Sequence, residues 1–347
     1  MNKESSKSAE RNHFFSRIVS NETKFSPEAC CPKLSGLFTW GVPMKKRPVV
    51  YLTLTLSAIF WGANFNAGKI AVEVMSPTQV AAWRFILAGA VILILYGVKE
   101  RPAWSSIKPY AFIYLLMGIV GIFFMNMFLF KGLEATSPIN TSFITATHPL
   151  LTICLSVFFL KEKIRIRQLA GIVISLLGVL LVLTNGSLME LGGISKGDAY
   201  VLLATGLWSL YGILGKKYVG NSSPLATTAI TMTVGSLFFL PYASLATGGA
   251  TSAKVMEAWI AVIFMALFCS VLAYLWWNQG IARIGANQTS LFFNIVPIST
   301  MTISALSGES IGMVQLVGAL VTISGIIWST KTPNVSRNEC FPRNNHV

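Results

Sequence analysis

Long runs of apolar residues, separated by short polar stretches, dominate the chain from Val49 onward. Each run is close to the roughly 20 residues that an α-helix needs to cross a bilayer. There are ten, at residues 49–70, 77–98, 109–130, 137–160, 166–184, 198–216, 224–247, 257–279, 287–307 and 313–330. Transmembrane β-strands would instead show segments of about ten residues with alternating hydrophobicity. The pattern therefore predicts an all-α integral membrane protein with ten transmembrane helices and no inserted soluble domain.

Composition and charge placement agree with a membrane location. Hydrophobic residues make up 53% of the chain and charged residues only 12%, about half the charged share of a soluble domain. Of the Lys and Arg residues from Lys45 onward, sixteen fall on one side of a ten-helix arrangement, and the other side has four, Lys69, Lys131, Lys196 and Lys254. The positive-inside rule then places both termini in the cytoplasm. The net charge of +14 reports topology, and we expect no nucleic-acid partner.

The two ends of the chain differ from the apolar region. Residues 1–48 are polar, carry mixed charges and contain no apolar segment of the kind that a signal peptide needs. We predict that they form a disordered basic cytoplasmic tail and that residues 331–347 form a second one. Met44, which precedes three basic residues, is an alternative start, so the presence of residues 1–43 in the native protein stays open. The five cysteines show no disulfide or metal-site spacing, and we expect no metal.

The apolar region contains an internal duplication. Residues 61–77 and 208–224 share six identical positions when they are aligned without gaps. Further identical pairs follow at the same offset of 147 or 148 positions, including Gly132/Gly280, Pro149/Pro297 and Gly178/Gly325. The duplication predicts two copies of one five-helix unit, at residues 49–184 and 197–330. In the fifth and tenth helices the matched glycines form small-residue stripes that suit close packing.

An odd number of helices in each unit means that the two units cross the membrane in opposite directions. Inverted repeats are the architecture of secondary transporters, which bind the substrate near the midplane between the halves. A membrane enzyme would need a catalytic constellation, but the apolar region contains one aspartate, Asp198, and one histidine, His148. We therefore expect no catalytic residues. A channel would show rings of like charge or a carbonyl filter motif, and a receptor would not need the duplication.

The sequence resembles a known transporter family. The segments "LSAIFWGANFNAGKIAVE", "SPTQVAAWRFILAGAVILIL" and "LKEKIRIRQLAGIVISLLGVLLV", with the proline-containing fourth and ninth helices, are similar to the EamA branch of the drug/metabolite transporter superfamily. The resemblance covers about residues 51–330. It implies ten helices around a central cavity and transport of small metabolites across the bacterial inner membrane. Many members export amino acids or related compounds, while others import metabolites or extrude toxic organic molecules.

From these observations we expect a secondary transporter that exports amino acids or related compounds. Metabolite import and toxic-compound efflux stay open, with a channel as a distant alternative. The sequence contains no nucleotide-binding loop, so we expect no cofactor and no ATP hydrolysis by this chain. The expected partners are a small-molecule substrate and the lipid bilayer, and both a monomer and a homodimer are compatible with the sequence.

Polar and aromatic residues at depth in the predicted helices are the candidate site. The first helix places Trp61 and Asn64 one turn apart, and the sixth helix has Trp208 and Tyr211 at the equivalent positions. An aromatic ring beside a hydrogen-bonding group suits a ligand with an apolar side chain and a polar head. For Trp61, packing between helices is the alternative interpretation.

Arg84 is the only cation clearly inside a predicted span. An ionised residue at this depth is a functional hypothesis by default, and a structural hydrogen-bonding role is the alternative. Asn126, Asn140 and Asn294 are weaker candidates for the pathway. Because no Asp or Glu lies deep in a span, the carboxylate relay typical of proton-driven carriers is missing. Facilitated and proton-linked export therefore both stay open.

A proline occupies the same position near the centre of the fourth and ninth helices, as Pro149 and Pro297. Each removes a backbone hydrogen bond and frees the carbonyl four residues earlier, which for Pro149 is that of Thr145. Such a carbonyl is tolerated in a membrane only inside protein or beside a wet cavity. We predict that these helices line the pathway and bend, with a static kink as the alternative. His148 has no counterpart in the second unit and is assigned to substrate recognition or proton coupling.

Overall fold

The computed structural model describes residues 47–100, 107–161, 166–183, 195–220, 222–243, 251–308 and 311–330, and all regular structure within these ranges is helical. The helices of the first half are α1 (Arg47–Val72), α2 (Pro77–Glu100), α3 (Lys108–Ala135), α4 (Pro138–Leu160) and α5 (Ile166–Leu183). Those of the second half are α6 (Lys196–Tyr218), α7 (Pro224–Tyr242), α8 (Ser252–Ile284), α9 (Ala286–Leu306) and α10 (Met313–Thr330). The predicted C-terminal tail and nearly all of the N-terminal tail lie outside the described residues.

Eight of these helices, α1 to α4 and α6 to α9, are long and apolar enough to cross a membrane. In α5 and α10 the apolar part is shorter, covering Val173–Val182 and Met313–Gly325. The predicted all-α membrane fold is therefore confirmed for the described residues, and the chain is a multi-pass membrane protein. Crossing of the bilayer by α5 and α10, and hence the total of ten, stays a prediction.

Local sequence sets where several helices begin. Helices α2, α4 and α7 each start at a Ser-Pro pair, at Ser76, Ser137 and Ser223. The Ser137 hydroxyl accepts from the N–H three residues later at 3.1 Å, and the Ser223 hydroxyl does the same at 2.9 Å. Proline in the first turn has no N–H to leave unpaired. Ser195 and Asp198 cap α6 reciprocally, so polar side chains satisfy the first turns of these helices.

The two halves interlock through their first helices. Helix α1 of the first half packs against α8 and α9 of the second half, and α6 of the second half packs against α3 and α4 of the first. Helix α2 pairs with α7, and α5 pairs with α10. Each contact has its counterpart when the halves are exchanged, as expected for a duplicated unit. The buried core therefore lies where α1 and α6 each enter the other half.

Helices α3 and α8 are widened at equivalent places. Gly118–Phe124 in α3 and Met265–Leu272 in α8 are π-helical. In the π segment of α8 the Ser270 hydroxyl donates to the Met265 carbonyl, five residues earlier, at 3.1 Å. Such segments are rare and frequently occur at functional sites. Their positions differ by the repeat offset, so both copies of the unit carry this irregularity.

The proline-containing helices are interrupted just before each proline. Helix α4 consists of Pro138–Thr145 and His148–Leu160 with a short turn between them, and Pro149 lies in the first turn of the second piece. In α9 a 3₁₀ turn at Leu291–Asn294 precedes the piece that contains Pro297. The structure therefore shows a break in α4, where the sequence predicted a bend.

Helices α5 and α10 approach so closely that a side chain has no room at the matched glycines. A Cβ atom added at Gly178 would lie 2.5 Å from the backbone nitrogen of Thr322, and one at Gly325 would lie 2.5 Å from that of Ser175. Glycine therefore permits the backbone contact between these helices.

We expect Gly178→Ala to lower the thermal unfolding temperature of the purified protein, with a cost of about 1–3 kcal/mol for overpacking. Gly206→Ala is the matched control, because an added Cβ there meets nothing within 4 Å. Thermal unfolding in detergent compares the two variants directly. Equal unfolding temperatures would show that the α5 and α10 backbones separate at no cost.

Candidate functional site

A cavity of about 50 Å³ lies in the core between the two halves. That volume has room for roughly four water molecules. Its wall is built from α1, α2, α3, α4, α6, α8 and α9, and consists of Trp61, Asn64, Phe65, Arg84, Met125, Asn126, Leu129, Thr145, Ala204, Thr205, Trp208, Tyr274 and Phe293. Because both halves contribute, any movement of one half against the other changes the cavity.

Aromatic rings form one wall of this cavity. The Trp61 ring lies 4.9 to 5.9 Å, centroid to centroid, from four other rings, those of Trp208, Tyr274, Trp277 and Phe293. Its indole N–H donates to the backbone carbonyl of Cys269 at 2.9 Å. The π segment of α8 therefore fixes the orientation of Trp61. Such a wall suits an apolar ligand group.

Arg84 is almost fully buried, with 1% of its surface exposed. Its Nε donates to the Ser270 hydroxyl at 2.7 Å, and one terminal nitrogen, Nη2, donates to the Cys269 carbonyl at 3.5 Å. The guanidinium carbon lies 4.9 and 5.7 Å from the ring centroids of Phe85 and Phe130. The other terminal nitrogen, Nη1, has no hydrogen-bond partner among the described residues. Among the described residues, the cavity wall contains no Asp or Glu that could neutralise this charge.

Three more buried polar atoms on the same wall lack partners within the described ranges. They are the indole nitrogen of Trp208 and the side-chain oxygens of Asn64 and Asn126. The Asn126 amide nitrogen is used, because it donates to the Ile122 carbonyl at 2.9 Å and lies 3.4 Å from the Tyr274 hydroxyl. Buried polar atoms are almost always hydrogen-bonded. Two donors and two acceptors left unpaired around one cavity indicate a site for a polar ligand.

A second cavity of about 250 Å³ lies beyond Tyr211, between the ends of α6 and α8 and the start of α7. Asn278 donates to the Tyr211 hydroxyl at 3.1 Å and to the Thr228 hydroxyl at 2.9 Å. The Tyr211 ring stacks on the Trp208 ring, with centroids 4.8 Å apart. Tyr211 lines the second cavity and Trp208 lines the first. The stacked pair therefore lies between the two cavities.

His148 is buried behind the aromatic wall and is not among the residues that line the cavity. Its ring lies 4.5 Å from the Phe293 ring and 5.9 Å from the Trp277 ring, centroid to centroid. Its Nε2 is 3.4 Å from the Thr152 hydroxyl, and its Nδ1 has no partner in the described part of the chain. His148 therefore contacts the site through Phe293.

The structure brings together only part of the predicted site. Trp61, Asn64, Arg84, Thr145 and Trp208 lie on the central cavity, and Tyr211 on the second one. Pro149 and Pro297 are buried and Asn294 is half-buried, but they do not line either cavity. Among the residues that the sequence interpretation did not assign to the site are Tyr274, which lines the cavity, and Cys269 and Ser270, which hold Arg84. For Tyr274 a signal existed, because it occupies the position equivalent to Asn126 in the duplication.

Two interlocked helical halves around a polar and aromatic cavity define the class of membrane transporters. Comparison with known sequences agrees with this class. The EamA-like transporter family matches the chain twice, at residues 49–184 and 195–331. The chain therefore belongs to the EamA-like transporter family and is a membrane transporter.

Relatives and a solved structure extend this assignment. The uncharacterized transporter YyaM of Bacillus subtilis is 41% identical over 281 residues, which is 80% of this chain and 92% of the relative. The uncharacterized transporter YetK of the same organism is 28% identical over 290 residues, 82% of this chain and 88% of YetK. A solved crystal structure matches with a TM-score of 0.60 at 18% identity, covering 82% of this chain and 97% of the other. At that identity the structural match supports the fold alone.

Proposed function

We propose that the protein is a secondary transporter that exports amino acids or related small compounds across the bacterial inner membrane. One observation supports this proposal above the others: the central cavity combines unpaired polar atoms with an aromatic wall. The polar atoms suit a charged head group, and the rings suit an apolar side chain. Metabolite import and toxic-compound efflux use the same architecture and are the alternatives, followed by a channel.

In this proposal, the two halves exchange their conformations during each transport cycle. The units at residues 49–184 and 197–330 are inverted repeats, and the substrate binds between them. The stacked Trp208 and Tyr211 rings close the central cavity toward the second cavity, which lies on the proposed cytoplasmic side near Lys216. Loading from the cytoplasm then requires this pair to separate.

The energy source is proposed to be either the substrate gradient or a proton. The described residues that line the central cavity include no Asp or Glu, so a proton would have to bind elsewhere. His148 is the candidate, since it contacts the aromatic wall and its Nδ1 lacks a partner within the described residues. The roles of Pro149 and Pro297 in bending, and of Asn294 in the pathway, stay predictions.

We expect cysteines at the two ends of α8 to label from opposite sides of the membrane. Lys254 precedes the apolar part of α8 and Arg283 follows it, and both side chains are exposed. In a background without the five native cysteines, Lys254→Cys should react with an impermeant thiol reagent in intact cells. Arg283→Cys should react only in inside-out vesicles. Labelling of both from the same side would contradict the inverted-repeat topology and the cytoplasmic termini.

A flux screen tests the proposed function. The purified protein is reconstituted into liposomes, and uptake of each of the 20 common amino acids is followed with empty liposomes as the control. Saturable uptake of at least one amino acid is expected. A non-saturable, voltage-driven ion current would identify a channel, and a lack of saturable uptake for every amino acid would overturn the amino-acid assignment.

A further inference from the structure

We propose that the central cavity is a head-group site for a zwitterion, in which Arg84 binds a carboxylate and Asn64 and Asn126 bind the neighbouring ammonium group. This inference rests on the proposed function and names the chemical class that the site accepts. It requires a compound that carries one carboxylate and one ammonium group close together. Amines without a carboxylate, and acids without an amine, are excluded as good ligands.

The duplication supplies an internal comparison for these polar groups. At the repeat offset Asn64 is equivalent to Tyr211, and Arg84 is equivalent to Thr231. The hydroxyls of Tyr211 and Thr231 lie 3.2 Å apart, and Asn278 donates to Tyr211 at 3.1 Å. At these two positions the second half therefore pairs its polar groups internally. The unpaired atoms of Asn64 and Arg84 belong to the first half only, so the shared fold is not their cause.

The donor side of the cavity matches a carboxylate. Two of the three guanidinium nitrogens of Arg84 are held by Ser270 and Cys269, which leaves Nη1 as the free donor. The indole N–H of Trp208 is the second unpaired donor on the same wall. A buried cation is costly unless an anion pairs with it. A planar carboxylate is the anion whose geometry a guanidinium matches.

The acceptor side of the cavity matches an ammonium group. The Asn126 amide nitrogen already donates to the Ile122 carbonyl, whereas the side-chain oxygen of Asn126 is an acceptor without a partner among the described residues. The Asn64 oxygen is a second acceptor on the wall. An ammonium group carries three donors and no acceptor. Two amide oxygens therefore bind it without adding a second charge.

The size of the cavity agrees with a head group of this kind. Its volume of about 50 Å³ holds roughly four waters, which is close to a carboxylate, one carbon and an amine. Trp61, Trp208 and Phe293 line the same cavity, so a larger apolar side chain can lie against these rings only when the two halves move apart. The described wall contains no acidic group for a second positive charge and no cation besides Arg84 for a second negative charge. Polyamines and dicarboxylates therefore fit poorly.

Three probes that share the isobutyl group test the zwitterion site. The full-length protein in lipid nanodiscs is titrated with L-leucine, with 3-methylbutylamine, which lacks the carboxylate, and with 4-methylpentanoate, which lacks the amine. Tryptophan fluorescence reports binding, because Trp61 and Trp208 line the cavity. Leucine should bind about tenfold or more tightly than either analogue, as expected for hydrogen bonds to charged groups. This comparison needs no variant.

Two variants then test which residue binds each charged group of the ligand. Arg84→Gln should weaken the binding of leucine and of 4-methylpentanoate about tenfold and leave the binding of 3-methylbutylamine unchanged. Asn126→Leu should weaken the binding of leucine and of the amine but not the binding of the acid. Thr231→Val, at the position equivalent to Arg84, is the control and should keep the wild-type order of affinities.

Each outcome separates this inference from the proposed function. An amine that binds wild type as tightly as leucine, or no saturable binding of any probe, would overturn the zwitterion site. Saturable uptake of 3-methylbutylamine by the reconstituted protein would overturn the site while the protein remains a transporter. Discrimination for leucine without any flux would retain the site and overturn transport of amino acids.

Discussion

Replacing Arg84 with Gln is expected to reduce amino-acid flux about tenfold or more, because the substrate loses its charged hydrogen-bond partner. The same change should not lower stability. Within the described part of the chain, Arg84 is buried with one unpaired nitrogen and the cavity wall contains no acidic residue. Removing an incompletely compensated buried charge is commonly neutral or stabilising. Loss of flux together with an equal or higher unfolding temperature is therefore the predicted combination.

The measurement for Arg84 pairs a flux assay in proteoliposomes with thermal unfolding of the same preparation. Lys217→Gln is the matched control, since it also removes one positive charge but from an exposed side chain at the end of α6. It should keep wild-type flux. Normal flux in Arg84→Gln would contradict a role in binding. A lower unfolding temperature would favour the structural alternative, in which Arg84 holds α8 against α2 through Ser270.

The second large effect is expected for the prolines of α4 and α9. Pro149→Ala and Pro297→Ala should each lower the maximal transport rate several-fold. The substrate concentration that gives half of the maximal rate should change only modestly. Alanine restores the N–H that proline lacks, and a continuous helix becomes more favourable than the broken one. Thr145 lines the cavity directly before the break in α4. Closing that break moves part of the cavity wall and opposes the exchange of shapes.

Pro138→Ala controls for the general effect of removing a proline. Pro138 begins α4, where the first N–H has no helical partner in any case. The transport rate of Pro138→Ala, measured in the same proteoliposome assay, should stay close to that of the wild-type protein. Wild-type rates in both Pro149→Ala and Pro297→Ala would show that the breaks serve static packing.

Positions of the helices were predictable because their signals are local. The fourth helix was predicted at 137–160 and is observed at Pro138–Leu160, since a Ser-Pro start and an apolar length are both visible in the sequence. The eighth was predicted at 257–279 and extends over Ser252–Ile284. Its polar ends continue the helix, which hydropathy does not register. The π segments of α3 and α8 had no signal in the hydrophobic pattern.

The site was predictable where a residue is unusual for its environment. Arg84 is conspicuous as a charge inside an apolar run. Ser270 and Cys269, which hold it, are ordinary membrane-helix residues, and only the packing of α8 against α2 makes them partners. His148 was equally conspicuous but lies behind Phe293. An isolated polar residue does not reveal which side of its helix faces a cavity.

Access to the central cavity from both sides of the membrane is the most direct test of the central claim. Ala204 lines this cavity and is 1% exposed, so Ala204→Cys in a background without native cysteines places one thiol at the proposed site. An impermeant thiol reagent is applied to intact cells and to inside-out vesicles, with and without a mixture of the 20 common amino acids. Alternating access predicts reaction from both sides, slowed by the amino acids on each. Reaction from one side only, or reaction that the amino acids do not slow, would contradict it.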